Sequence, residues 1–337
     1  MSPAPIGVAV FGAGRMGAVH AGNITHNQNA TLIGIADVDR SAAQRALGSN
    51  GARVDSVESF LADPQVDAVV IATPTDTHAE LIVKSATANK QIFCEKPISL
   101  DIATTVDAIR ACERAGVILQ IGFQRRFDRD FVNVHAAISE GKLGEVRFIR
   151  LVSRDRMLPP IAYVQTSGGQ YKDQMIHDFD AARWLLAPAT VQEVSAVGSA
   201  LADPAIGECG DVDTAVALLR FSNGAIALLD VSREAAYGYD VRAEVHGSRG
   251  MLLAGDDGMA SGRVLDESFV KPQTDSFVTR FSDAYRLELQ DFIEAAATRK
   301  KPRVDGNDAL QALRIAVAAD RSRRSGCVVK LADVDGA

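Results

Sequence analysis

The chain has 337 residues, 47% of them hydrophobic, and a net charge of −7 with acidic and basic side chains mixed along its length. That length exceeds one comfortable core and predicts two domains, each able to bury apolar side chains without staples. With no basic face, no run of about 18 apolar residues and no charged n-region in Met1 to Val10, nucleic acid and membrane are excluded as expected partners and a cytoplasmic protein is expected.

From Ile6 to Phe123, short β-branched runs alternate with helical spacing, the pattern of βαβ units and a parallel sheet. The predicted strands are Ile6 to Phe11, Thr31 to Ala36, Ala68 to Ala72, Gln91 to Cys94 and Val117 to Gly122. Between them Met16 to His26, Ser41 to Leu47, Ala79 to Ala88 and Ile102 to Ala115 read as helices. After Arg126 the pattern changes. Val146 to Ser153, Val191 to Val197, Thr214 to Phe221, Ala225 to Val231 and Val241 to His246 predict a larger, mostly antiparallel sheet, with Asn223-Gly224 as a hairpin turn. Asp283 to Ala297 and Asn307 to Arg324 predict helices, the second stopped by Gly326. The fold class is therefore α/β, with a Rossmann domain over residues 1–123 and an α+β domain with a large open sheet over 124–337. Four scattered cysteines, Cys94, Cys112, Cys209 and Cys327, form no C-x-x-C pair; they read as buried thiols, and no metal is expected.

In an open parallel sheet, ligands bind beyond the carboxyl ends of the strands. There the sequence places Gly12-Ala13-Gly14-Arg15-Met16-Gly17, Asp37, Thr73-Pro74-Thr75-Asp76-Thr77-His78, Glu95-Lys96-Pro97 and Gln124-Arg125-Arg126. The glycines form G-x-G-x-x-G between a strand and a helix, a turn that lets a pyrophosphate approach the helix N-terminus. Asp37 ends the second strand, where a carboxylate binds ribose hydroxyls and repels a 2′-phosphate. NAD is the expected cofactor, with Arg40 leaving NADP as a second option. The plain alternative is a tight turn and an ordinary helix cap.

Taking a hydride from a secondary alcohol needs a base for the hydroxyl proton and a donor for the developing alkoxide. His177 follows Asp173 by four residues, a spacing that puts both on one face if the segment is helical. The alternative is a first-turn acid and a surface histidine. Lys96, before Pro97 at a strand end, is the candidate donor, or else a loop lysine paired with Glu95.

At these motifs, together with Gly122-Phe123-Gln124-Arg125-Arg126-Phe127 and Asp173-Gln174-Met175-Ile176-His177-Asp178, the sequence resembles the glucose-fructose oxidoreductase, inositol dehydrogenase and MocA family over nearly its whole length. Ser153-Arg154-Asp155 and Tyr237-Gly238-Tyr239-Asp240 resemble the inositol-oxidising branch. The resemblance implies that Lys96, Asp173 and His177 are catalytic, with His177 as base. It implies cofactor contacts from Gly12, Gly14, Arg15, Met16, Asp37, Val38, Arg40, Thr73, Pro74, Thr75, His78, Glu95, Lys96 and Gln124. It also implies substrate contacts from Lys96, Arg126, Asp155, Asp173, His177 and Tyr237, and a homotetramer formed through sheet faces. The Lys96–Pro97 bond is a candidate for the cis form. The expected reaction is NAD-dependent oxidation of a cyclic polyol, with myo-inositol leading. Other inositol isomers, glucose and xylose are the rival substrates, and an NAD-binding sensor without turnover is a rival of another class.

Overall fold

Strands buried on both faces need unbroken apolar runs, and Ile6-Gly7-Val8-Ala9-Val10-Phe11 is one, buried at every position. In the computed structural model, which describes residues 5–48, 51–255 and 276–334, the chain divides into two compact units. The first comprises residues 1–124 and 283–310, the second 125–282 and 311–337. The boundary after Gln124 falls beside the expected one. The return of residues 283–310 to the first unit departs from the expected 124–337 domain; residues 1–4, 49–50, 256–275 and 335–337 of those limits lie outside the described residues.

The first unit runs β1 (Ile6–Phe11), α1 (Arg15–Thr25), β2 (Ala30–Ala36), α2 (Arg40–Leu47), β3 (Arg53–Val54), α3 (Val57–Ala62), β4 (Ala68–Ile71), α4 (Thr75–Thr87), β5 (Gln91–Glu95), α5 (Ile102–Ala115) and β6 (Leu119–Gly122). Its six strands are parallel in the order β3-β2-β1-β4-β5-β6, the Rossmann order. The sequence reading missed β3 and α3, a two-residue strand and a one-turn helix with only Phe60 buried. It also started α4 late, because the polar first turn Thr75-Asp76-Thr77 carries no apolar periodicity.

The second unit contributes α6 (Arg129–Ser139), β7 (Val146–Arg154), α7 (Ile161–Val164), α8 (Gln170–Asp173), α9 (Ile176–Leu185), β8 (Val191–Ser199), α10 (Pro204–Glu208), β9 (Thr214–Phe221), β10 (Ile226–Ser232), β11 (Asp240–Gly247), β12 (Met251–Ala254) and α11 (Phe277–Arg280). Then come α12 (Ser282–Thr298), α13 (Gly306–Ser325) and the short β13 (Val329–Lys330). The sheet order is β12-β11-β7-β10-β9-β8-β13. All its pairings are antiparallel except β7 with β10, which run parallel from Phe148↔Ile226 to Arg154↔Ser232. Asn223-Gly224 makes the β9–β10 hairpin, with Gly224 at φ +87°.

Leu289, Phe292, Ile293 and Ala296 of α12 join Val8, Val10, Ile35, Val70 and Phe93 in the core of the first unit. Phe292 meets the Phe93 ring edge-on at 5.8 Å. Burial of these side chains explains why the segment belongs with the nucleotide fold. The expectation that all four thiols are buried holds for Cys94 and Cys112 alone. Cys209 is half-buried, and Cys327, just past the Gly326 that ends α13, is exposed.

Candidate active site

The glycine-rich turn is sterically obligatory at two of its three glycines. Gly12 has φ +99°, and a Cβ there would lie 2.5 Å from the carbonyl oxygen of Ala72; at Gly17 it would lie 1.9 Å from that of Gly12. A Cβ on Gly14 would meet nothing within 4 Å, so this glycine faces open space. Helix α1 begins there with no side-chain cap and no acid in its first turn, leaving the leading amides beside Arg15 and Met16 for an anion.

Asp37 closes β2 and accepts hydrogen bonds from the Ala13 N–H at 2.5 Å and the Asp39 N–H at 2.7 Å. Val38 is fully exposed beside it, and Arg40 donates to the Val54 carbonyl at 3.2 Å. After β4, Thr77 Oγ1 donates to Thr73 Oγ1 at 2.7 Å, fixing the Thr73-Pro74-Thr75 turn. Gln124 is buried and its Oε1 has no hydrogen-bond partner, an acceptor waiting for a donor. Uncapped amides, an open glycine, a strand-end carboxylate and an orphaned amide oxygen fit a bound dinucleotide.

Two of the expected cofactor residues are held by interactions within the first unit. His78 is 1% exposed, with Nδ1 2.8 Å from the Pro97 carbonyl and Nε2 2.9 Å from that of Thr73. Burial holds its imidazole below the usual pKa. It therefore ties the Thr73 turn to the segment of the cis Lys96–Pro97 bond. The Glu95 carboxylate turns inward, 2.7 Å from His20 Nε2. Glu288, fully buried next to this pair, is raised well above the usual carboxyl range by burial and then by the Glu95 charge. Lys96 itself is half-buried at the end of β5.

In the second unit the site residues gather where the parallel strands β7 and β10 both end. Asp155 follows β7 and its N–H donates to the Ser232 carbonyl at 2.9 Å. Gln174 reaches the same carbonyl through Nε2 at 3.1 Å, which brings the α8–α9 segment onto that sheet end. The expected single helix through Asp173 and His177 is corrected. Asp173 ends α8 and His177 is the second residue of α9. The Gln170 carbonyl accepts from both Gln174 and Met175, and the His177 N–H goes to Gln174, so the ladder breaks between the two side chains. Asp173 is held from two sides: Tyr163 OH donates to Oδ1 at 2.9 Å and Arg233 Nη1 to Oδ2 at 3.0 Å. Burial and then the Asp173 charge push the Tyr163 phenol up, so it remains a donor.

Arg125 and Arg126 are not the solvated basic pair that their adjacency allows. Arg125 Nη1 meets Asp178 Oδ1 at 2.5 Å and its Nη2 donates to Ser153. Arg126 forks onto Asp180 through Nε at 2.8 Å and Nη2 at 2.5 Å, so one edge of the guanidinium expected at the substrate is fixed by α9. Tyr237 OH donates to Asp240 Oδ2 at 3.0 Å, where β11 begins beside the end of β7. Sequence reasoning missed Tyr163, Arg233, Asp178 and Asp180. The two α9 acids were the accessible signal, since charged residues two apart inside an apolar helix demand partners.

A Rossmann sheet whose second strand ends in Asp37, followed by a unit that presents a braced carboxylate and a histidine, defines a two-domain NAD-dependent oxidoreductase. The family described as "Oxidoreductase family, NAD-binding Rossmann fold" matches residues 6–123, and its "C-terminal alpha/beta domain" matches residues 135–331. The chain is 42% identical over 315 residues to "Inositol 2-dehydrogenase" of Rhizobium meliloti (strain 1021), covering 93% of this chain and 95% of that protein. It is 38% identical over 330 residues to "scyllo-inositol 2-dehydrogenase (NAD(+))" of Bacillus subtilis (strain 168), covering 96% and 95%. The crystal structure of a putative myo-inositol dehydrogenase from Sinorhizobium meliloti 1021 superposes with a TM-score of 0.91 at 40% identity, covering 97% of this chain and 99% of that one. The chain belongs to the glucose-fructose oxidoreductase, inositol dehydrogenase and MocA family.

Proposed function

We propose that the protein oxidises a secondary hydroxyl of a cyclic polyol, with myo-inositol as substrate and 2-keto-myo-inositol as product. The carrying observation is the Asp173 carboxylate, fixed by Tyr163 and Arg233 at the end of β7 and β10, with His177 four residues on in α9. A fixed carboxylate suits a hydroxyl-rich, uncharged ligand, because it accepts hydrogen bonds from hydroxyls.

His177 accepts the proton of the reacting hydroxyl. Lys96 donates a hydrogen bond to the same oxygen as negative charge develops on it. Asp173 accepts from a neighbouring ring hydroxyl and steadies the charged imidazole; Asp155, Arg126 and Tyr237 address the remaining hydroxyls. The C–H bond breaks with its electron pair as the carbonyl forms. NAD, when bound, supplies the acceptor for that hydride. Gly12, Gly14, Arg15 and Met16 hold its pyrophosphate, Asp37, with Val38 and Arg40 alongside, its adenosine end, and Thr73, Pro74, Thr75, Lys96 and Gln124 the rest.

A second reading, scyllo-inositol as substrate, is favoured by the similarity to the Bacillus subtilis relative. The two isomers differ in configuration at the carbon that is oxidised, so the choice rests on how the ring and its hydroxyls are seated when that C–H faces the cofactor. The homotetramer is proposed from the open face of the second sheet, where Val197, Leu218, Ile226, Met251 and Leu253 are exposed. No helix among the described residues is long and apolar enough to cross a membrane, which supports a cytoplasmic setting.

The test is initial-rate NADH formation with myo-, scyllo- and chiro-inositol, glucose and xylose, for the wild type and His177→Ala. The variant is expected to lose roughly 10²- to 10⁴-fold in kcat while NAD affinity stays unchanged. An unaltered kcat removes His177 from the base role.

A further inference from the structure

Arg233 is 2% exposed, the largest of the fully buried side chains. A guanidinium this deep must be neutralised, and two carboxylates share it. Asp173 accepts from Nη1 at 3.0 Å, and Asp211 Oδ2 stands 3.6 Å from Nη2 without making a hydrogen bond. Nε and Nη2 are buried with no hydrogen-bond partner, so the direct bond to Asp173 is the contact that fixes the group.

Asp211 has a second task. Its Oδ1 accepts the Gln170 N–H at 2.9 Å, pinning the start of α8, the helix that ends in Asp173. A Cβ on Gly169 would lie 2.9 Å from that same oxygen, and Gly169 has φ +85°, so the approach requires glycine. The backbone of Arg233 is tied down as well, its N–H donating to the Asp213 carbonyl at 2.8 Å. One end of α8 is therefore anchored to Asp211 and the other to Arg233.

We propose that Arg233 is a positioning residue for the reaction, holding Asp173 charged and aimed while Asp211 competes for the same guanidinium. The proposal rests on Asp173 and His177 being the proton-handling pair. Other titratable groups surround the carboxylate: Tyr163 on α7 donates to Asp173, Asp155 after β7 acts on the same phenol, Lys172 precedes Asp173 in the chain and His177 follows it by four residues. The Asp213 carboxylate is turned to the N–H groups of Leu201, Ala202 and Asp203. Arg323 of α13, paired with Asp320 at 3.0 Å, acts with Asp211 on Tyr171. Arg233 is therefore a cation bonded directly to the Asp173 carboxylate.

The consequence is a pair of opposite shifts. The acid limb of kcat/KM reports protonation of the Asp173–His177 pair as a unit. Removing the cation favours protonation of both groups; removing the competing anion disfavours it. Arg233→Met is expected to move the limb up by about 1 to 3 pH units and to raise KM for the polyol, with the Kd for NAD unchanged. Arg233→Lys keeps the charge and is expected to restore the limb but not KM, because an ammonium cannot reproduce the planar fork.

Asp211→Asn retains the acceptor for Gln170 and is expected to move the limb down. It keeps the question open to refutation should Arg233→Met fail to fold. The experiment is the pH profile of kcat/KM for these three variants, with Asp173→Asn as control. Opposite shifts for Arg233→Met and Asp211→Asn, or a downward shift for Asp211→Asn alone if the other does not fold, support the proposal. A limb that stays in place in Asp211→Asn overturns it, as does one that stays in place in a folded Arg233→Met whatever the change in Tm. If Asp173→Asn turns over normally, the assignment of the pair has failed instead.

Discussion

Asp37 is the residue we propose to select the dinucleotide in the first unit, and its geometry says how. The carboxylate already takes two backbone N–H groups, from Ala13 and Asp39, which fix its position at the end of β2. A 2′-phosphate brought against it meets like charge, whereas ribose hydroxyls find an acceptor. Asp37→Ser is expected to weaken NAD by roughly tenfold or more and to shift the kcat/KM ratio toward NADP, with Arg40 near enough to assist. An unchanged ratio would show that the ribose lies elsewhere. This residue could be singled out in the sequence because a strand end and a glycine motif are both local signals. Arg233 and Tyr163 could not. Their partner Asp173 lies 60 residues away from the first and 10 from the second, across chain that carries no periodic sign of the contact.

Helices and strands were read well where their apolar rhythm is strong and poorly where a functional break interrupts it. The α8–α9 segment looks like one helix because Asp173 and His177 are four apart; the structure interrupts it at Gln174 and Met175. The four-residue spacing singled out Asp173 and His177 as one helix face, and the break between α8 and α9 removes that reason. On α12, Glu288 makes a prediction of its own. Its folded pKa is raised by burial, then by Glu95, so its contribution to stability is complete below the unfolded carboxyl value and is lost as pH rises through the folded one. Wild-type Tm is expected to fall as pH rises above the ordinary carboxyl range, and Glu288→Gln to flatten that decline and to be the more stable form at the alkaline end. Parallel Tm-against-pH curves from scanning fluorimetry would refute this.

At the scale of the molecule, the second sheet carries an outer face that mixes apolar and paired charged side chains. Leu218, Leu228, Arg150, Glu244 and Leu253 lie in register across it, with Arg150 and Arg154 on Asp230 and Arg220 on Glu193. We propose this face as the contact of the homotetramer, because it carries exposed apolar side chains among its paired charges. Leu218→Asp is expected to reduce the assembly mass seen by light scattering while leaving the far-UV spectrum intact; an unchanged mass would move the interface elsewhere. The alternation that exposes this face was readable strand by strand, but the order of the strands was not, since the parallel β7–β10 pairing joins segments far apart in sequence.

The first unit is interrupted in the chain: it is left after Gln124 and rejoined at Asp283. During synthesis, the six parallel strands emerge from the ribosome long before α12 does, and Phe93 must wait for Phe292. The nucleotide-binding half can therefore complete itself only after most of the other half has been made. Until then the nascent chain presents an uncovered apolar surface of the kind that chaperones recognise.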